Sequence, residues 1–480
     1  MAPYEREYAD KSSHYDLIKN PDVGGFLDEC SYLQEPSEQQ TEAICSPFWE
    51  LPREDECGTI KSIIAIDGSY YESAVDDRFP STRIAYMKIG SVYVDMRDWQ
   101  SLRVMDDRYV DPFRVAKLLD SKGALALILP SSNVVYRGKQ SVRDSFRYAL
   151  HQQLSAMRPV EDEERYSIRS VLAEMASLRD DQAEIRLHKC PRCLVEYENG
   201  IRLDPIHGTG KCAGCDTDLF VSDALRVWED VSEYHANTEP LTRLMVAIEH
   251  LTMVNYISYI RDHDLDTLSS TAFFVDGPLA IFGNPAWLHA SIMKFLASVN
   301  RRLIDAGRRP LLIIGLQKTG QVVDFARAIC RYIPNGSIMP ITDDYRYTYI
   351  LSGREPAAKG FGSETYYGQD FIYKTPSGRV FVLALPYPFA DKSPVDGVTF
   401  ACAKVDMARY QRLGTAAALI RHFESDLYTN AVVPVALAHK HTAISLVPGG
   451  KVLDQLTKQR FQKPSTGNGS VAGAPDETRP

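Results

Sequence analysis

The chain has 480 residues and a formal net charge of −9, and 44% of its residues are hydrophobic, as in ordinary globular proteins. The negative charge argues against a protein that coats nucleic acid nonspecifically, although it is compatible with a local basic groove. No apolar run approaches the roughly 20 residues of a membrane helix, and the polar start MAPYEREYADKSSHYD does not resemble a signal peptide. We therefore expect a soluble, cytoplasmic protein without membrane contact.

The first 96 residues predict an arm followed by strands. Residues 1–60 are polar with a few aromatic residues, which predicts an irregular N-terminal arm with short helices. The β-prone run KSIIAIDG leads into Asp67-Gly68, and RIAYMKIGSVYVDM (83–96) predicts one or two further strands. Residues 61–96 are therefore predicted to form the first part of the core, beginning with a hairpin or meander.

Residues 97–187 predict a helical insert. Apolar residues recur at helical spacing in DPFRVAKLLDSKG (111–123) and VRDSFRYALHQQLSAM (142–157). The stretch EDEERYSIRSVLAEMASLRDDQAEIR (161–186) predicts a charged amphipathic helix with a solvated face. Between the first two stretches, ALALILPSS is typical of a short buried strand or of an anchored loop.

Residues 188–226 contain two CxxC pairs, whose four cysteines are Cys190, Cys193, Cys212 and Cys215. The pairs are separated by 18 residues (212 − 193 − 1), a spacing typical of a tetrahedral zinc site. A redox CxxC normally opens a helix and needs no second pair. Since four thiolates leave no open position for a substrate, we predict a small zinc ribbon with a structural Zn²⁺ ion.

Residues 227–462 predict the second and larger part of the core. A long apolar helix (239–262) precedes the strand TAFFVD, the helix PAWLHASIMKFLASVNRRLIDAG and the strand RPLLIIGLQKTG. This β-α-β order implies a parallel pair of strands in an α/β fold. The block GQDFIYKTPSGRVFVLALPYP (368–388) predicts a hairpin, and residues 463–480 are typical of a disordered tail.

Two apolar strands run into an Asp-Gly pair, Asp67-Gly68 and Asp276-Gly277, and we expect both pairs to end their strands. A carboxylate at the mouth of a buried strand needs a partner charge or a metal ion. Glu249 lies in the otherwise apolar helix stretch LMVAIEHLTMV, where a surface position and a metal-binding position are about equally favoured. These three carboxylates are candidates for one metal centre.

The order of four motifs, IAIDGSYY, FFVDGPL, LIIGLQKTG and VALAHKHTAIS, resembles the NurA nucleases. The resemblance runs from about Ser62 to about Leu446, interrupted by residues 97–238. It implies a ribonuclease H-like mixed sheet and manganese-dependent processing of DNA ends together with a HerA-type hexameric ATPase. The helical insert and the zinc ribbon depart from the compact archaeal form and are similar to a longer bacterial branch.

The resemblance also implies roles for individual residues. Asp67 and Asp276 match the family's strand ligands for Mn²⁺ or Mg²⁺, which are expected as two ions. Glu249 matches the helix carboxylate, with Asp264 and Asp266 as alternatives. Lys318 of GLQKTG matches a lysine that holds a phosphate. His439 of LAHKH matches a late histidine that serves as a metal ligand or proton carrier, with His441 as a near competitor.

Two other functions compete with a nuclease that acts as a homodimer on DNA. A haloacid-dehalogenase phosphatase would need a second aspartate two residues after the first, where this chain has Ser69 and Pro278. A catalytically silent adaptor of a translocase would not need all three carboxylates. The polarity of digestion, the preference for single or double strands, the choice of Mn²⁺ or Mg²⁺ and a role in repair or phage defence stay open at the level of sequence.

Overall fold

A computed structural model describes the greater part of the chain. It covers residues 14–30, 36–51, 56–101, 122–160, 164–179, 184–351, 354, 356, 360–425, 431–445 and 448–462. The predicted helix over 111–123 lies almost entirely outside these residues, and so does the tail 463–480. Among the described helices, none combines the length and the hydropathy that a membrane span requires.

Thirteen strands occur in the described residues, and nine of them form one mixed sheet. The strands are β1 (Trp49–Glu50), β2 (Ser62–Ala74), β3 (Arg83–Asp95), β4 (Lys122–Pro130), β5 (Arg186–Lys189), β6 (Glu196–Arg202), β7 (Thr209–Lys211), β8 (Asp218–Phe220), β9 (Thr271–Asp276), β10 (Leu312–Gln317), β11 (Ser337–Pro340), β12 (Gly368–Lys374) and β13 (Val380–Pro386). The order in the large sheet is β1-β11-β12-β13-β10-β9-β2-β3-β4. Its three central strands, β10, β9 and β2, are parallel, and the other pairs are antiparallel.

The helices cover both faces of this sheet. Their bounds are α1 (Tyr15–Lys19), α2 (Pro21–Glu29), α3 (Glu38–Cys45), α4 (Met96–Ser101), α5 (Val142–Ala156), α6 (Ile168–Arg179), α7 (Thr238–His263), α8 (Leu265–Ser269), α9 (Leu288–Asp305), α10 (Gln321–Ala328), α11 (Asp343–Tyr345), α12 (Phe400–Ala403), α13 (Leu413–Phe423), α14 (Val433–Thr442) and α15 (Gly449–Gln462). The predicted α/β class with a mixed-sheet core is therefore confirmed.

Successive apolar side chains of the central strands point to alternate faces, which explains how one sheet supports two buried cores. In β2, Ile64 and Ile66 pack with α7 in one buried cluster, while Ile63 and Ala65 pack with α14 in the other. Successive side chains of a strand point to opposite faces, so a continuous apolar run suits a strand covered on both sides. Helices α7 and α14 consequently approach the same strand from opposite faces.

The expectation that both Asp-Gly pairs end their strands is wrong for Asp67-Gly68. Strand β2 continues without a break through Gly68 to Ala74 and pairs along its whole length with β3. Gly68 has the extended backbone of a strand, and its missing side chain leaves room for a neighbouring helix. The second pair behaves as expected, because β9 ends at Asp276 and Gly277 has a φ of +117°.

The predicted insert contributes more than helices. Strand β4, which overlaps ALALILPSS and begins two residues before it, pairs with β3 and forms one edge of the large sheet, while α5 and α6 follow it in the chain. Residues 83–95 form one strand rather than two. Two small hairpins, β5–β6 and β7–β8, carry the two CxxC pairs at their turns.

Candidate functional site

Parallel pairing brings the two strand aspartates together. Ile66 of β2 is in register with Val275 of β9, so the next residues, Asp67 and Asp276, are neighbours at the carboxyl end of the parallel strands. Asp67 is buried with 4% of its surface exposed, and Asp276 is partly buried. Two carboxylates this close repel each other unless a cation or a proton lies between them.

His439 completes a cluster with these aspartates. Its Nδ1 atom lies 3.1 Å from Asp67 Oδ2 and 4.0 Å from Asp276 Oδ2. One ligand atom from each of the three residues lies within 4.8 Å of the others, a spacing that can hold a metal ion. We call these three residues the carboxylate–histidine cluster. The His439 side chain is 55% exposed, so the cluster is accessible from solvent at this residue.

Helix α14 carries both candidate histidines, but they occupy different places. The helix begins next to Pro434, a residue that suits a first turn because it lacks an N–H group. His441 packs its ring where a side chain at Gly90 would stand, and its carbonyl oxygen accepts a hydrogen bond from Lys88. His439 is therefore the histidine that faces the aspartates.

Glu249 lies beside the cluster, on the other face of the sheet. It is 4% exposed within α7, and its carboxyl group accepts a hydrogen bond from the backbone of Gly68. Burial raises the pKa of Glu249 well above its ordinary value, and the charges of Asp67 and Asp276 raise it further. Burial therefore favours the protonated form of this carboxyl group, and a bound cation would favour the ionised form.

Lys318 supplies one positive charge next to Asp276. It follows β10 directly, and its Nζ atom lies 2.6 Å from Asp276 Oδ2. Burial raises the pKa of Asp276 to about 6 although Lys318 opposes that rise, and Asp67 adds to it. The positive charge of Lys318 therefore does not offset the combined effect of burial and of Asp67 on the pKa of Asp276.

The alternative carboxylates lie at the opposite end of β9. Asp264 caps α8, and its hydrogen bond from Thr267 lowers the pKa of the Asp264 carboxyl. Asp266 forms an ion pair with Arg308. Both precede Thr271, where β9 begins, whereas Asp276 is its last residue, so of the three candidates Glu249 is the carboxylate next to the cluster.

Two residues at the cluster were not predicted from the sequence. Thr442 donates a hydrogen bond of 2.6 Å from Oγ1 to Asp67 Oδ2, and Gly90 is the cross-strand partner of Asp67. Thr442 follows His439 by three residues, the spacing that places two side chains on one face of a helix. That spacing in AHKHT was the available signal for Thr442, while nothing in the sequence pointed to Gly90.

The four cysteines of the CxxC pairs form a second group that can hold a metal ion. The Sγ atoms of Cys190 and Cys215 are 3.7 Å apart, as are those of Cys193 and Cys212. Tetrahedral zinc with Zn–S bonds of about 2.3 Å requires a sulfur separation of about 3.8 Å. All four thiols are free of disulfide bonds, so the arrangement fits a closed tetrahedral site.

The two cysteine turns have the same backbone geometry. The residue that follows each pair, Leu194 or Asp216, has a positive φ, of 61° and 54° respectively. Each also donates its backbone N–H to the carbonyl oxygen of the first cysteine of its pair. Each turn thereby presents its two sulfur atoms to the other turn.

The fold and the cluster define an α/β protein with a carboxylate–histidine centre that can hold a metal ion at the carboxyl ends of its parallel strands. The chain belongs to the NurA domain family, because the model of that family matches residues 61–444. No curated protein matches the chain. Membership of this family supports a nuclease as the class of enzyme, in agreement with the resemblance of the sequence motifs.

Proposed function

We propose that this protein is a divalent-metal-dependent deoxyribonuclease that hydrolyses phosphodiester bonds at DNA ends. The main supporting observation is that Asp67, Asp276 and His439 converge at the carboxyl end of the parallel pairing between β2 and β9, in a chain of the NurA family. Carboxylate oxygens and imidazole nitrogen suit Mn²⁺, and carboxylates alone suit Mg²⁺. The raised pKa values of Glu249 and Asp276 add support, since a bound cation would relieve both.

Each residue of the site has a proposed task. Asp67, Asp276 and His439 would hold one ion, and Glu249 is the remaining carboxylate for a second ion. Two divalent ions activate a water molecule and stabilise the leaving oxygen in phosphodiester cleavage. Lys318, which forms an ion pair with Asp276, would neutralise a phosphate oxygen that enters the site.

The four cysteines are proposed to bind zinc in a structural role. All four ligand positions of such an ion are filled by thiolates, which leaves none for a substrate. The hairpins β5–β6 and β7–β8 are built from strands of only three to seven residues, so metal binding would supply part of their folding free energy. We propose residues 188–226 as a zinc ribbon remote from catalysis.

A partner is proposed to deliver the DNA. With a net charge of −9, the chain cannot depend on bulk attraction to phosphates, a term that also weakens steeply with salt. The family resemblance implies a HerA-type hexameric ATPase that threads DNA into a homodimer of this chain. We place this activity in the cytoplasm, in DNA repair or phage defence.

The nuclease proposal is tested with the full-length protein on end-labelled linear DNA, with Mn²⁺, with Mg²⁺ and after chelation. We expect Asp67→Asn and Asp276→Asn each to lower the cleavage rate by at least about 100-fold. Loss of a residue that only hydrogen-bonds to a metal ligand already costs up to about 100-fold, and loss of a ligand itself should cost at least as much. Asp266→Asn is the matched control, because it removes an acidic charge at the other end of β9. Equal cleavage by Asp67→Asn and the wild type would refute the proposal.

The choice of histidine is tested by a second matched pair. His439→Ala should lose most of the cleavage activity, whereas His441→Ala, on the same helix, should retain most of it. The reverse result would move the histidine of the site to His441.

The partner proposal needs a separate measurement. The mass of the protein alone should correspond to a dimer. In a mixture with its HerA-type ATPase, the measured mass should correspond to a complex that contains this dimer. ATP should then stimulate DNA degradation by the complex. A monomer that is fully active alone and unaffected by the ATPase contradicts the partner proposal but leaves the nuclease proposal intact.

A further inference from the structure

From the contacts around Asp67 we infer that Thr442 is a positioning residue, whose hydroxyl group fixes the Asp67 carboxylate in its metal-binding orientation. The inference rests on the proposed function, because it assumes that Asp67 binds a divalent ion. Thr442 itself is not proposed as a ligand. It is fully buried at the end of α14, and its Oγ1 atom lies 2.6 Å from Asp67 Oδ2.

The hydroxyl proton of Thr442 has three possible acceptors. The carbonyl oxygens of Ala438 and His439 lie 3.2 Å and 3.1 Å away, and Asp67 Oδ2 lies 2.6 Å away. A hydroxyl group has one proton, and a hydrogen bond to an ionised acceptor is shorter and stronger than one to a neutral carbonyl. Asp67 therefore accepts the hydrogen bond from Thr442, while the helix carbonyl oxygens have longer and weaker contacts with the hydroxyl group.

A glycine on the neighbouring strand permits this contact. Gly90 of β3 is in register with Asp67, and a Cβ atom on Gly90 would lie 2.6 Å from Cγ2 of Thr442. Because Gly90 has no side chain, the last turn of α14 approaches the sheet closely enough for the Thr442 hydroxyl to reach Asp67. The depth at which α14 packs and the hydrogen bond to Asp67 thus depend on the same residue.

The Thr442 bond matters because it holds the same Oδ2 atom of Asp67 that contacts His439. Oδ2 of Asp67 contacts Thr442 and His439, and a metal ion bound between Asp67 and His439 would replace the contact between those two residues. Thr442 would then be the contact that remains to hold Oδ2 in place. Loss of a residue that hydrogen-bonds to a metal ligand typically weakens metal binding about 10–100-fold.

The test measures Mn²⁺ binding directly, on the full-length protein with its cysteine site loaded with zinc. Free Mn²⁺ is followed by electron paramagnetic resonance during titration of the wild type, Thr442→Val and Thr442→Ser. We expect Thr442→Val, which keeps the shape but lacks the hydroxyl group, to weaken Mn²⁺ binding about 10–100-fold. Thr442→Ser should bind Mn²⁺ nearly as tightly as the wild type, because it restores the hydroxyl group.

Two further variants distinguish positioning from general loss of structure. Thr252→Val removes a buried helical hydroxyl group whose bond goes to the carbonyl oxygen of Ile248, and it should leave Mn²⁺ affinity unchanged. Gly90→Ala keeps threonine at position 442 but pushes α14, and the Thr442 hydroxyl group with it, away from Asp67, so it should weaken Mn²⁺ binding as Thr442→Val does. Urea unfolding of each variant reports whether the fold is retained.

Several results would overturn the inference. Mn²⁺ binding by Thr442→Val at wild-type affinity means that the hydroxyl group does not position Asp67. Equal losses in Thr442→Val and Thr442→Ser would show that packing of the whole side chain, and not the hydroxyl group alone, sets the Mn²⁺ affinity. A wild-type protein that binds no Mn²⁺ outside its cysteine site and cleaves no DNA would instead remove the proposed function, and this inference with it.

Discussion

Replacement of Gly68 by alanine is expected to impair both stability and activity, and the structure sets the size of the effect. A Cβ atom at this position would lie 2.6 Å from Glu249 Oε1, 2.8 Å from Ile89 Cδ1 and 2.8 Å from Met245 Cγ. Ordinary van der Waals contacts begin at 3.4 Å, so each neighbour must move by more than half an ångström. Overpacking of this kind typically costs about 1–3 kcal/mol.

The displaced neighbour that matters for function is the carboxyl group of Glu249. A shift of about 1 Å in a positioning group can lower a catalytic rate about 100-fold. We therefore expect Gly68→Ala to lower DNA cleavage by about that factor at saturating Mn²⁺, and to lower the free energy of unfolding in urea by about 1–3 kcal/mol. Cleavage is measured on end-labelled DNA.

The control for this prediction is Gly58→Ala, since no atom lies within 4 Å of a Cβ atom at that position. It should change neither quantity appreciably. A double variant with Glu249→Ala tests the cause, because removing the carboxyl group should recover part of the lost stability, as expected for residues in contact. Wild-type cleavage by Gly68→Ala would show that the position of Glu249 is not set at Gly68, and the argument would fail.

Two further predictions concern charge and metal. Burial raises the pKa of Glu249 well above its ordinary value of 4.5, so the folded protein holds this proton more tightly than the unfolded chain does. That contribution to stability is present below the unfolded pKa and is lost as pH rises through the folded pKa. Without Mn²⁺ or Mg²⁺, urea unfolding should therefore show Glu249→Gln gaining stability relative to the wild type as the pH rises above 4.5, the ordinary pKa of the glutamate. A difference in stability that does not change with pH contradicts this. Cys190→Ser should release one zinc ion by elemental analysis and expose residues 188–226 to proteolysis, whereas Cys402→Ser, at an exposed cysteine outside the cluster, should do neither. A zinc content unaffected by Cys190→Ser excludes the cysteine site.

The sequence by itself determined those features that depend on local spacing. The two CxxC pairs predicted a four-cysteine cluster because turns of this type bring their sulfur atoms to one point. The apolar runs around Asp67 and Asp276 predicted buried strands, and the β-α-β order predicted the parallel pairing of β9 with β10. The extent of β2 was misjudged, because an Asp-Gly pair is a turn signal in isolation. In β2, pairing with β3 on one side and β9 on the other overrides that local preference.

Only the tertiary structure decided which side chains surround the aspartates. Asp67 meets His439 and Thr442 across 372 and 375 residues of chain, and no local pattern encodes contacts over such distances. The choice between Glu249 and Asp264 or Asp266 depended on which end of β9 each one reaches. The roles of Gly68 and Gly90 arise from the close approach of α7 and α14 to opposite faces of the sheet. A missing side chain gives no signal in a sequence until the structure shows which atoms occupy its place.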